Sequence, residues 1–248
     1  AGDDIRTIDW KVTARLRSPH TRVFTEERDR PAMLVLDQRI GMFFGTQVAM
    51  KSVVAAELAT LAAWRIIDVG DRVGAIIFND DDVEIIKPGR SRDHVMRILE
   101  SIVRFNQRLS AESKLRPQPA QLEQVIQQTC RIAKHDFLVA VVSDFHGLNP
   151  SAERSLLSIS QHNDLVAAVV HDPIASKLPK CRDYVITDGE LQIEMPNNTN
   201  TLQRVHETSV GRMKDVLGLH TKLQCPVLPI STGEPVNFQL QRLLGRRF

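Results

Sequence analysis

The run Met33-Leu34-Val35-Leu36-Asp37, continued by Gln38-Arg39-Ile40-Gly41-Met42-Phe43-Phe44-Gly45, constrains the fold of the chain more than any other stretch. Four consecutive apolar residues, bounded by Pro31 and by polar residues, read as a short strand buried on both faces. The strand ends in one acid, Asp37, and a helical pattern follows over residues 46–68, with Val48, Val53, Ala56, Leu58, Ala59, Leu61, Ala62 and Ile66 on its apolar face. Strand, loop and helix, with a carboxylate at the strand's C-terminal end, is the arrangement in which open α/β sheets hold ligands.

The same grammar repeats along the chain. Residues 72–78, 137–142 and 165–170 are further buried strands, and the run at 137–142 leads into a second strand-end acid, Asp144. Helical periodicity separates them at residues 91–105, 120–133 and 151–162, with Ser91 suited to cap the first of these and Gly70 to end the helix before it. Asn79 to Asp82 form a turn from which residues 83–86 pair back as an edge strand. Residues 184–187 and 191–195, joined by Asp188-Gly189, carry a strong hairpin signal. A helix over 198–217, a strand over 221–230 and a helix over 234–244 complete the expectation. Strands alternating with helices give a doubly wound, mostly parallel α/β sheet with helices on both faces. Residues 1–30 read as an N-terminal arm, docked by Ile5, Ile8 and Trp10, ahead of one domain at 31–248 that includes the late hairpin.

Composition narrows the function classes. With 42% hydrophobic and 25% charged residues the chain is an ordinary globular sequence. A formal net charge of +2 gives no electrostatic case for nucleic acid. Cys130, Cys181 and Cys225 form an odd set without a C-x-x-C pair, which suits reduced thiols in the cytoplasm better than disulfides or zinc. No apolar stretch approaches the roughly 20 residues that span a bilayer, so no membrane contact is expected of this segment. The motif-like opening at Ala1 fits a piece of something longer.

Several motifs carry resemblance. Asp37-Gln38-Arg39-Ile40-Gly41 occupies the place of the Asp-x-Ser-x-Ser signature of von Willebrand factor A-like domains. Gly2-Asp3-Asp4-x-Arg6-x-Ile8-Asp9-Trp10, Glu26-Glu27-Arg28, Gly70-Asp71-Arg72-Val73-Gly74, Ser143-Asp144-Phe145 and His171-Asp172-Pro173 with Leu178-Pro179 all resemble a bacterial family, domain of unknown function 58, which contains such a domain. The resemblance implies a von Willebrand factor A-like fold with a metal-ion-dependent adhesion site. Asp37 matches its first acid and Asp144 its last. Both serine positions depart from the signature, with Arg39 at one and Gly41 at the other. The family's Gly-Gly-Thr is absent near Pro117-Gln118-Pro119, where it should fall. Three hydroxyl ligands are therefore replaced and a cation is added, so no cofactor is expected. Two readings of Arg39 stand side by side. Its guanidinium bridges Asp37 and Asp144 in place of the metal, or it points to solvent beside a vacant site.

Other candidates have plainer readings. Gly45-x-x-x-x-Met50-Lys51-Ser52 falls short of a phosphate-binding loop because Met50 stands where the second glycine must let the backbone wrap the phosphates, leaving Lys51 as a first-turn surface residue. Ser143, Asp144 and His146 lack a separately positioned base. Asp80, Asp81 and Asp82 read as a solvated turn, Asp172 as a turn before Pro173, and Arg242, Arg246 and Arg247 as favourable charge at a helix C-terminus. The expected function is a non-enzymatic protein-interaction module whose loops at 38–46 and 143–149 present the binding surface. The resemblance implies a protein partner, a MoxR-type AAA+ ATPase, for which the chain would be an adaptor or co-chaperone. The alternatives are a ligand-binding domain dependent on magnesium or manganese held by Asp37 and Asp144, and a metal-dependent hydrolase using the same acids.

Overall fold

Strand β1 (Pro31–Asp37) forms the middle of the sheet, and its side chains alternate between two cores. In the computed structural model, which describes residues 15, 30–110, 116–173 and 218–245 and the backbone of 184–187 and 192–195, β1 is hydrogen-bonded on both sides. On one side lies β2 (Arg72–Phe78), parallel to it, and beyond that β3 (Val83–Gly89), antiparallel at the edge. On the other side lie β4 (Leu138–Ser143) and β5 (Asp164–His171), both parallel. A further two-stranded antiparallel pair, β6 (Tyr184–Thr187) and β7 (Gln192–Met195), stands apart from β8 (Val227–Ser231), which closes the six-stranded sheet against β5 in the order β3-β2-β1-β4-β5-β8.

Helices cover both faces. Leu34, Leu36 and Ile77 point into a core shared with α1 (Lys51–Asp68) and α2 (Arg92–Gln107). Met33, Val35, Ile76 and Phe78 point the other way, toward α3 (Ala120–Ile132), α4 (Pro150–His162) and the short α5 (Leu219–Leu223). The last helix, α6 (Val236–Leu244), returns to the face of α1. Alternation along a strand covered on both sides explains why β1 reads as an unbroken apolar run. Each such Leu, Ile or Phe contributes about 1.5–3 kcal/mol by leaving water. The strand order reverses between β1 and β4, so the crevice beyond the C-terminal ends of these two strands lies at the switch point of the fold.

Three expectations need correction. The first helix begins at Lys51 and not at Thr46, because the Thr46 amide and hydroxyl are held by Asp172 at 2.8 and 2.6 Å and Met50 is extended as the N-cap. Val48 consequently leaves the apolar face and is 61% exposed. Within the expected strand at 221–230, Thr221 to Leu223 are helical: Leu219 and Leu223, four apart, both bury into the core, and Gln224 at φ 51° ends the turn before β8. Gly70 does take the left-handed conformation expected of it (φ 91°), and Ser91 Oγ caps α2 by accepting from the His94 amide at 3.1 Å. The motif of Gly2, Asp3, Asp4, Arg6, Asp9 and Trp10, the Asp188-Gly189 turn, Cys181 and the helix at 198–217 lie outside the described residues. No helix among the described residues is long and apolar enough to cross a membrane.

Candidate functional site

Asp37 closes β1 and is completely buried, which obliges its carboxylate to find donors. Arg39, two residues on, supplies them. Its backbone amide and Nε reach Oδ1, each at 3.0 Å, and Nη2 reaches Oδ2 at 2.6 Å. Ser143 Oγ, at the end of β4, donates a further bond to Oδ2 at 2.6 Å. Arg39 as a whole is only 4% exposed. The far side of its guanidinium donates to the His146 carbonyl at 2.9 Å, lies 3.5 Å from the Pro119 carbonyl, and stacks over Phe78 at 5.7 Å from the ring centre.

The loop after β4 is shaped to make this possible. Phe145 sits at φ 54°, a conformation that costs a non-glycine residue about 1–2 kcal/mol. It is held there by burial of its ring and by donation of its amide to Ser143 Oγ at 2.9 Å. Gly147 follows at φ 85°, where an added Cβ would lie 2.5 Å from the Pro119 carbonyl oxygen. These two turns bring the His146 carbonyl and residue 119 against the guanidinium.

Asp144 sits beside this group without being its main partner. Arg39 Nη2 is 3.9 Å from Asp144 Oδ1, beyond a hydrogen bond, while Lys51 Nζ meets Asp144 Oδ2 at 2.5 Å. Of the two readings of Arg39, the solvent-facing one does not hold and the bridge holds only for Asp37; Lys51, expected on the surface, is mostly enclosed and takes Asp144. A lysine in the first turn opposes the helix dipole, and this was the available signal that an acid had to face it. Burial disfavours the Asp144 charge, but Lys51, the His146 amide and Arg39 outweigh it and hold the carboxyl below its ordinary value. Burial likewise weakens the Arg39 charge, and Asp37, then Asp144 and Asp80, reverse the effect and raise it.

Two acids taken for turn residues belong to the same construction. Asp80, 6% exposed, accepts the Ile40 amide at 2.6 Å and the Gln118 amide at 2.8 Å. Asp172, 5% exposed, accepts the Thr46 amide and hydroxyl, and the Thr232 hydroxyl at 2.6 Å. Asp172 closely follows the end of β5, the position Asp37 and Asp144 occupy on their strands, so its place was readable. Gly41 is exposed in a single helical turn, Ile40–Met42, and an added Cβ would meet open space.

The residues present do not fit a resident divalent cation. Both oxygens of Asp37 are engaged by Arg39, and those of Asp144 by Lys51 and the His146 amide, so a metal would have to displace fixed cations. The Ser143 hydroxyl gives its hydrogen to Asp37, and those of Thr46 and Thr232 give theirs to Asp172. Magnesium's preference for several oxygen ligands is met by nothing left over among these groups.

Residues 1–213 match the family described as "Protein of unknown function DUF58". An uncharacterized protein of Mycobacterium tuberculosis is 30% identical over 190 residues, covering 76% of this chain and 57% of that protein. One from Mycobacterium bovis matches to the same extent, so the chain spans little more than half the length of these relatives. Among solved structures, an aerotolerance-related membrane protein from Bacteroides fragilis is similar at a TM-score of 0.50 and 14% identity, covering 88% of this chain and 98% of the other. BatB from Bacteroides thetaiotaomicron is similar at 0.48 and 12%, covering 88% and 100%. The SpRpn10 VWA domain is similar at 0.43 and 10%, covering 86% and 94%. The fold itself is a doubly wound, mostly parallel α/β sheet with helices on both faces.

Proposed function

The chain belongs to the DUF58 family, and we propose that it is a non-enzymatic protein-interaction module in which an arginine stands where related domains hold a metal. One observation carries the reading. Arg39 grips Asp37 through two nitrogens inside a nearly closed pocket, and its positive charge takes the place of the cation's. The loop from residue 38 to 50 is then shaped by fixed side chains and needs no bound ion. The partner proposed is a MoxR-type AAA+ ATPase, for which the chain acts as adaptor or co-chaperone. The family resemblance is the support for that choice.

Thermal unfolding in chelator, and then in magnesium, manganese or calcium, tests the first part. The expected result is one midpoint in all four conditions. A ligand at a hundredfold over its Kd adds about 2.7 kcal/mol, or roughly 5–11 °C at 2–4 °C per kcal/mol for a chain of this length, so a bound ion would not escape notice. A saturable rise that disappears in Asp37→Asn or Asp144→Asn would overturn the metal-free reading and restore the metal-dependent one. Co-purification with the ATPase, weakened by Phe44→Asp on the exposed loop, tests the partner.

A further inference from the structure

Helix α1 is apolar almost all round. Val54, Ala55, Leu58, Ala59, Ala63 and Ile66 face the sheet and are buried. Val53, Ala56 and Leu61 flank that face, Ala56 and Leu61 touching the edge of the same core, and the structure leaves all three only partly covered. A helix that is hydrophobic on every side expects a second layer. Here that flank lines a groove of about 630 Å³ between α1 and α2, bordered at one end by the start of α6. Val53, Ala56, Glu57, Thr60 and Leu61 line one wall at helical spacing, and α2 lines the other at the same spacing from Leu99 to Gln107. Nine residues of helix, about eight rises of roughly 1.5 Å, give a trough roughly 12 Å long.

We infer that this groove receives an amphipathic helix from a partner protein, one carrying a lysine or arginine among its apolar residues. Two matched helical walls suit a third helix, whose own ridges fit between theirs. Charge selects the partner. Glu57 is the one charged residue among those lining the groove; it is exposed and makes no ion pair among the described residues. A second copy of the chain, related by two-fold symmetry, would set this face against itself, acid to acid with no cation lining to answer it. A basic helix supplies the missing charge. The groove shares no lining residue with the Arg39 pocket, and Asn106, which donates to Gln38, links the two; their tests read different residues.

The probe is a synthetic peptide of roughly 18 residues, with a leucine stripe at helical spacing and a lysine at its centre, together with a twin carrying glutamate there. Binding to the full chain is followed by fluorescence anisotropy and located by amide chemical-shift changes. The lysine peptide should saturate and shift residues along α1 and α2, and it should bind about tenfold more tightly than its twin. Glu57→Lys should reverse that order. Val103→Asp, at a site already 51% exposed and so tolerant of the change, should weaken both peptides. Leu157→Asn, at a 39% exposed site on α4 across the sheet, should leave binding as it is. Absence of saturation, equal binding of the twins to parent and Glu57→Lys chains, or shifts confined to the loops around Arg39 would overturn the inference. So would a zero-length cross-link joining Glu57 to Lys11 or to a second copy, which would identify the chain itself as the occupant.

Discussion

Arg39 and Asp37 form an ion pair removed from water, and the value of such a pair lies less in its formation than in the penalty for breaking it. Arg39→Met leaves the fully buried Asp37 carboxylate without its main donors and should cost about 3–5 kcal/mol in urea unfolding. Arg39→Met combined with Asp37→Leu removes both charges and should recover most of that loss. If the double variant is as unstable as the single one, the pair contributes net stability of its own. Asp144 makes a pH prediction. Its folded value lies below that of the unfolded chain, chiefly because Lys51 and the His146 amide overcome the effect of burial. Stability from this pair is therefore complete above the unfolded value of about 3.9 and is lost as pH falls through the folded one. The stability difference between the parent and Asp144→Asn should stay level from neutral pH down to about 5 and shrink below about 4.

The loop joining β1 to α1 is held at intervals by acids from several strands. Asp37 binds the Arg39 amide, Asp80 the Ile40 amide, Asp172 the Thr46 amide, and Asp144 the Lys51 ammonium. Gln38 adds a bond from its Nε2 to the Ser52 carbonyl at 3.0 Å and receives one from Asn106 at 2.9 Å. Phe44 and Val48, 40% and 61% exposed, thus project from a backbone tied on both sides of them. Asp172→Ala should free the Thr46 and Thr232 donors, cost about 1–3 kcal/mol, and speed amide exchange across residues 44–50 more than in β1. Uniform exchange in parent and variant would mean that the other ties suffice. Ser91→Ala removes the cap of α2 and should cost about 1 kcal/mol, measurable as a shifted urea midpoint with an unchanged slope.

The molecule joins two cores through one sheet, and Phe78 belongs to both the packing and the site. Its ring is fully buried in the core beneath α3 and α4 and also carries the Arg39 guanidinium on its face. Phe78→Leu should therefore loosen the site as well as the core, whereas Leu122→Ala, buried on α3, should cost about 2–5 kcal/mol in packing alone. Equal loss of Arg39 Nε proton protection in the two variants would show that the ring does nothing particular for the guanidinium.

Most of the architecture follows from local pattern. The four buried runs became β1, β2, β4 and β5 because a strand covered on both faces must be apolar throughout, and that property is carried by neighbours in the chain. Asp37 and Asp144 were readable as crevice acids for the same reason: each falls at or just past the end of such a run. The errors at residues 46–51 share one cause, which is contact between residues far apart in the chain. Thr46 to Met50 have helical spacing and nevertheless stay outside the helix, because Asp172, 126 residues away from Thr46, claims the Thr46 amide and hydroxyl. Lys51 looks like a surface lysine until the loop after β4 sets Asp144 against it, 93 residues away. Periodicity and strand-end acids are one-dimensional signals, and they placed the crevice. Which cation answers which carboxylate depends on loops that meet only when the strands align: Arg39 Nη2 lies 2.6 Å from Asp37 and 3.9 Å from Asp144, and folding alone set Lys51 against Asp144.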